Sequence, residues 1–181
     1  MHFESGTTLL SEFIHNLSRH SSHEILLKPH PHDIAFQKVK TYDPLFYRHQ
    51  NLKMVLDLSP YDILHHVDLV VCVDQSTLGL EAMLFNKPVL FLKNEGQNPV
   101  YVTDYFDEMG RICSSDPIVL AEMAVDLLSD HGIYCNENEK VRNDFVSSRY
   151  PVKASMKTML ELLKDITGAS FSHPSNQHFS G

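Results

Sequence analysis

Two short stretches of the chain combine residue types that can hold a charged ligand. The first is Lys28-Pro29-His30-Pro31-His32-Asp33. Prolines on both sides of His30 stiffen its backbone and limit its donors. An imidazole fixed in this way can donate to a phosphate oxygen or offset charge on a departing phosphate. The second is Val73-Asp74-Gln75-Ser76-Thr77-Leu78-Gly79-Leu80-Glu81-Ala82. Ser76 stands where a helix N-cap stands. Its hydroxyl, that of Thr77 and the free backbone N–H groups of a first helical turn converge on one point, which makes an anion site. Gly79 removes a side chain from that turn, so a ligand or another backbone can approach closely. Glu81 lies too far along to partner Ser76 as a cap and can accept hydrogen bonds from sugar hydroxyls.

Plainer readings stand beside these. The chain has 12 histidines, so a histidine in a given surface turn is unremarkable. His32 is read that way, while the proline frame favours a functional His30. Ser76 to Glu81 also fits ordinary capping, with Gly79 serving helix packing and Glu81 on a solvated face. The residues alone leave both readings of this stretch open. It is neither a P-loop nor a G-x-G-x-x-G fingerprint.

Both stretches sit where strands end in an alternating pattern. Apolar residues at Leu9, Leu10, Phe13, Ile14 and Leu17 predict a helix over Thr7 to His20. Glu24 to Lys28 predicts a buried strand stopped by Pro29. Ile34 to Lys40 fits a short helix, and Tyr42 to Gln50 reads as irregular because Pro44 interrupts it. Leu52 to Leu56 reads as a strand, and Ser59-Pro60 opens a helix through Leu64. Asp68 to Val73 is the clearest strand. A helix over Leu78 to Phe85 and a strand over Lys87 to Leu92 come next. Arg111 to Cys113 fits a short edge strand. Asp116-Pro117 starts a helix running to Leu128. Further helices fit Glu137 to Ser147 and Val152 to Ile166. The Ser-, His- and Asn-rich tail from Gly168 to Gly181 has little to bury and reads as disordered. Strands separated by helices predict an α/β domain over residues 1–167, a Rossmann-like parallel sheet flanked by helices. In such sheets ligands collect beyond the carboxyl ends of the strands.

Composition narrows the function. The 181 residues suit one domain with a real core. A net charge of −8 disfavours a nucleic-acid binder that depends on a positive field. Cys72, Cys113 and Cys135 form no C-x-x-C pair and no even framework, which reads as reduced thiols in a cytoplasmic protein. No apolar run approaches the ~20 residues of a membrane span. Met1 to Gly6 lacks the basic start and apolar stretch of a signal peptide.

Four blocks together carry a resemblance: Lys28-Pro29-His30-Pro31, Ser59-Pro60-Tyr61-Asp62-Ile63-Leu64, Val67-Asp68-Leu69-Val70-Val71, and Ser76-Thr77-Leu78-Gly79-Leu80-Glu81-Ala82 running on through Lys87-Pro88-Val89. Over about residues 6 to 130 the chain resembles the C-terminal half of GT-B fold glycosyltransferases. The capsule polysaccharide synthesis type is most alike, and teichoic acid glycerophosphotransferases and UDP-N-acetylglucosamine 2-epimerases are similar at the same places. The resemblance implies a half that binds the nucleotide of a CMP-, CDP- or UDP-linked sugar donor. By that resemblance His30 contacts the donor phosphate and is the catalytic group. Ser76 and Thr77 hold phosphate oxygens, Gly79 lies in the same binding turn, Glu81 takes the ribose hydroxyls, and Tyr61 lies near the base. No metal and no cofactor is implied.

The 181 residues hold no counterpart of the N-terminal, acceptor-binding GT-B domain, and Ser5-Gly6-Thr7-Thr8 reads as the turn after a strand that is short or missing. The expectation is therefore a fragment, a split half or a degenerate product that needs a partner domain or self-association, with at most a peripheral membrane association. An epimerase-like isomerase and a non-catalytic nucleotide-sugar-binding module are the competing readings.

Overall fold

The computed structural model describes residues 2–74, 76–94, 109–129 and 133–149. The chain divides into two units, Met1–Val146 and Ser147–Gly181. Both stretches with candidate ligand-binding residues belong to the first. The expected helix over 152–166 and the tail from 168 lie outside the described residues.

The first unit is α/β with parallel strands, as the alternating pattern predicts. Helix α1 (His2–His20) leads into β1 (Ile25–Leu27), and β1 pairs in parallel with β2 (Leu52–Met54). Between them lie α2 (Pro31–Ala35), a 3-10 turn (Lys38–Tyr42) and α3 (Asp43–Arg48). Helix α4 (Pro60–His66) carries the chain to β3 (Val70–Val73), α5 (Thr77–Leu84) to β4 (Val89–Leu92), and a 3-10 turn (Gly110–Ile112) precedes β5 (Cys113–Ser114). Helices α6 (Pro117–Leu128) and α7 (Ile133–Arg149) complete the described chain. The described strands form two hydrogen-bonded groups, β1-β2 and β3-β4-β5, all pairs parallel.

Four local expectations change. The helix expected over Ile34 to Lys40 is divided: α2 ends at Ala35, and Gln37, left-handed at φ 54, separates it from the 3-10 turn. Ser5 and Gly6 lie inside α1, which starts at His2, and form no turn. Tyr42 to Gln50 is largely helical, because Pro44 falls in the first turn of α3, where its missing N–H costs nothing. The expected edge strand begins two residues later, with Arg111 in a 3-10 turn and Cys113 opening β5.

Burial explains the arrangement. All four residues of β4 are fully buried, since it has strands on both sides and helices on its faces. Helix α6 turns Leu120, Ala121, Met123, Ala124 and Leu127 inward and packs against α1, β4 and β5. Its start is fixed by Asp116, whose carboxylate accepts from the Ile118 and Val119 N–H groups. Helix α1 contributes Phe13, Ile14 and Leu17 to the same core. Strand β5 is too short to reach Val89. Asn138 of α7 takes the place of a strand residue there: its Nδ2 donates to the Val89 carbonyl at 2.6 Å and its Oδ1 accepts from the Val89 N–H at 3.2 Å.

Candidate functional site

Each singled-out residue sits at a turn leaving a strand or on the helix that comes after it. Beyond β1, Pro29 is buried and the exposed His30 is the N-cap of α2, with its backbone extended at φ −61 and ψ 143. Its Nδ1 accepts from the His32 N–H at 3.1 Å. An accepting Nδ1 puts the proton of the neutral ring on Nε2. Nε2 has no partner among the described residues, so the ring presents an N–H donor outward. His32 supplies that backbone donor and stacks obliquely on Phe36. Behind them, the buried Asp33 accepts from the Tyr42 hydroxyl at 3.2 Å and ties α2 to the 3-10 turn. Burial, with the Asp33 charge, pushes the Tyr42 hydroxyl up to about 12.

Sequence reasoning overlooked Lys28. Its Nζ donates to the carbonyls of Leu56 and Leu58, each at 2.8 Å, and so fastens the loop after β2 to the end of β1. A lysine at a strand end, one strand away from a Pro-free loop of exposed carbonyls, was the available signal.

Beyond β3 the chain makes a strained turn. Asp74 adopts φ 59, a left-handed conformation that aspartate tolerates better than most residues. Its Oδ1 accepts from the Asn94 N–H at 2.8 Å, joining the ends of β3 and β4. This turn aims the start of α5. Ser76 occupies the N-cap position as expected, yet its side chain bonds to no helix N–H. Instead it hydrogen-bonds to Cys72, which partly offsets the burial that raises that thiol to about 11. The first turn of α5 thus has no side-chain cap, which leaves N–H groups at a helix N-terminus for another acceptor. Thr77 is exposed beside them.

Gly79 has a packing role. It is buried, and a Cβ built on it would stand 2.6 Å from Cε1 of Phe91 and 3.2 Å from Sγ of Cys72. Its bare Cα lets α5 press onto β3 and β4. Glu81, one turn on, is half-buried, and its carboxylate has no partner among the described residues. Tyr61 is half-exposed and stacks on Phe85 at 6.0 Å between centroids, with His65 edge-on to the same ring at 5.3 Å. Phe85 closes α5 at its C-terminal end, so this aromatic group lies at the opposite end of that helix from Ser76 and Thr77.

The structure therefore brings Ser76, Thr77 and Glu81 together on α5 and holds His30 at the end of β1, in the other strand group. Among the described residues no contact joins His30 to α5, and no three His, Cys, Asp or Glu side chains are grouped to hold a metal ion. Cys113, like Cys72, is raised to about 11, chiefly by burial. Both thiols stay protonated at neutral pH and are poor nucleophiles.

A family model described as capsule polysaccharide biosynthesis protein matches residues 2–97. The chain belongs to this family. The matched span runs from α1 past β4 and includes His30, Tyr61, Ser76, Thr77, Gly79 and Glu81, and the chain accordingly has a role in capsular polysaccharide synthesis. No curated protein and no solved structure matches it. Among the described residues no helix is long and apolar enough to cross a membrane.

Proposed function

We propose that the chain is the donor-nucleotide-binding half of a GT-B glycosyltransferase that builds capsular polysaccharide from a nucleotide-sugar in the cytoplasm. The observation that carries this reading is the state of His30. Its Nδ1 is engaged in capping α2, so its Nε2–H is a fixed, outward donor at a strand end. The uncapped start of α5 and the unpartnered Glu81 carboxylate support it.

The chemistry follows from those groups. The acceptor oxygen attacks the anomeric carbon of the donor sugar. The bond from that carbon to the phosphate oxygen breaks, and its electron pair stays on the departing nucleoside phosphate. Charge develops on the phosphate, where donors fixed beforehand are worth most. His30 Nε2–H and the first-turn N–H groups of α5 supply them. Glu81 accepts from the ribose hydroxyls and selects a nucleotide over free phosphate. Calorimetric titration of CMP, CDP, UMP and UDP tests the reading. One of them binds the chain, and His30→Ala weakens that binding at least tenfold while the fold survives. Absence of binding by all four contradicts it.

A further inference from the structure

The corner where α3 turns into β2 contains a buried titratable group that the proposed chemistry does not use. His49 closes α3. Its N–H donates to the Leu45 carbonyl at 3.1 Å, and its own carbonyl accepts from the Leu52 N–H at 3.1 Å as β2 begins. The ring is buried, and Nε2 has no hydrogen-bond partner among the described residues. Helix α1 meets the corner here. The His15 ring lies 5.8 Å from the His49 ring, tilted by 60°. One turn on, the Ser18 hydroxyl donates to Asn51 Oδ1 at 3.3 Å, and Asn51 Nδ2 donates to the His23 carbonyl at 3.0 Å. The two sides of this contact are anchored differently. Phe13, Ile14 and Leu17 sink α1 into the core, and α1 packs against α6. The corner is joined to α1 by the ring contact and the Ser18–Asn51 hydrogen bond.

The surroundings of the ring disfavour a charge. The groups that act on it are His15 from α1 and Arg48 from α3, both cationic when protonated. Glu12 and Arg19, one turn before and after His15, are exposed and opposite in sign. From β2, Lys53 is engaged with Glu24. A doubly protonated imidazole has a donor on each nitrogen, and Nε2 has no acceptor to meet. A buried charge without a partner is costly. Moving the corner off α1 gives the ring to water instead.

We propose that His15 and His49 form an acid-released clasp: on mild acidification the α3–β2 corner opens away from α1 to take up a proton, while the core around β4 stays closed. In the open form the ring has the ordinary histidine pKa of about 6.5. In the closed form burial first, then His15 and Arg48, lowers it. The open form therefore binds more protons, and opening is favoured as pH falls below about 6.5 and suppressed above it. The opening loosens the start of β2 and, through the 2.8 Å bond from the Ile25 N–H to the Asn51 carbonyl, the start of β1. His30 lies beyond the other end of β1, and the inference is independent of the nucleotide reading.

Amide exchange in low urea, followed by NMR at pH 7.5 and pH 5.5 and corrected for the intrinsic rate, tests it. Local openings respond little to urea, and global unfolding responds strongly. The Ile25 and Leu52 amides exchange through a urea-insensitive opening. That opening is several-fold more populated at pH 5.5, up to about tenfold, the ceiling for one proton with an open-state pKa of about 6.5. The Leu90 to Leu92 amides of β4 keep a urea-dependent route at both pH values. His49→Phe retains a buried ring without a titrating nitrogen and abolishes the pH dependence of the local opening. His15→Gln, at an exposed position, reduces it. Three results overturn the proposal. Ile25 and Leu52 exchange only by the urea-dependent route shared with β4. Their local opening is equally populated at both pH values. Or its pH dependence survives undiminished in folded His49→Phe or His15→Gln.

Discussion

On the proposed reading His30 and Glu81 divide the recognition between them by chemistry: one offers a ring N–H oriented by its Nδ1 cap bond and the other a carboxylate with no partner among the described residues. Glu81→Gln keeps shape and removes charge. It should lower nucleotide affinity by roughly 1.5–3 kcal/mol, the range for a hydrogen bond to a charged group, with Tm unchanged. A large fall in Tm at unchanged affinity would make Glu81 structural. Gly79→Ala should do the reverse, because the added methyl meets the ring of fully buried Phe91. Overpacking of this kind costs about 1–3 kcal/mol, read as a lower urea midpoint. His49 gives a third handle. It is 7% exposed, its Nε2 has no partner among the described residues, and the His15 ring lies 5.8 Å away. Burial first, then His15 and Arg48, lowers its pKa from 6.5. The folded ring stays neutral while the unfolded chain takes up a proton, so stability falls as pH drops below about 6.5. His49→Phe should flatten that slope and raise Tm at about pH 5.5, since an apolar ring of similar size leaves no orphaned nitrogen. An unchanged pH profile in this variant would assign the slope to other groups.

Helix starts were the most legible elements. Ser59-Pro60 and Asp116-Pro117 both mark true N-termini, because a side-chain acceptor followed by proline has few other uses. Ser76, followed by Thr77 rather than proline, sits at the same position. Its hydroxyl turns to Cys72 instead, a choice set by the strand beneath it and invisible in a linear pattern. Pro44 misled in the other direction, since a proline reads as a breaker until the helix start it occupies is known. Asn138 gave no signal, because its role depends on β5 stopping short of Val89. Asn138→Leu leaves a buried N–H and a buried C=O without partners, at about 1–3 kcal/mol each. The expected result is a marked loss in Tm together with faster exchange of the Val89 amide. Exchange unchanged at Val89 would show that water or another group replaces the amide.

At the scale of the molecule, the parallel α/β class followed from apolar runs alternating with helical periodicity, and both candidate stretches fall where such sheets bind ligands. The split into two strand groups did not follow, since pairing partners are not written in any one strand. The central claim is that the ends of β1 and β3 jointly bind the nucleotide of a sugar donor. It is tested most directly by chemical-shift mapping of the amide spectrum during titration with CMP, CDP, UMP and UDP. The account predicts that the nucleotide that binds perturbs residues 28–32 and 76–81 together, along one binding curve. Perturbations clustered elsewhere, with both segments silent, would contradict it.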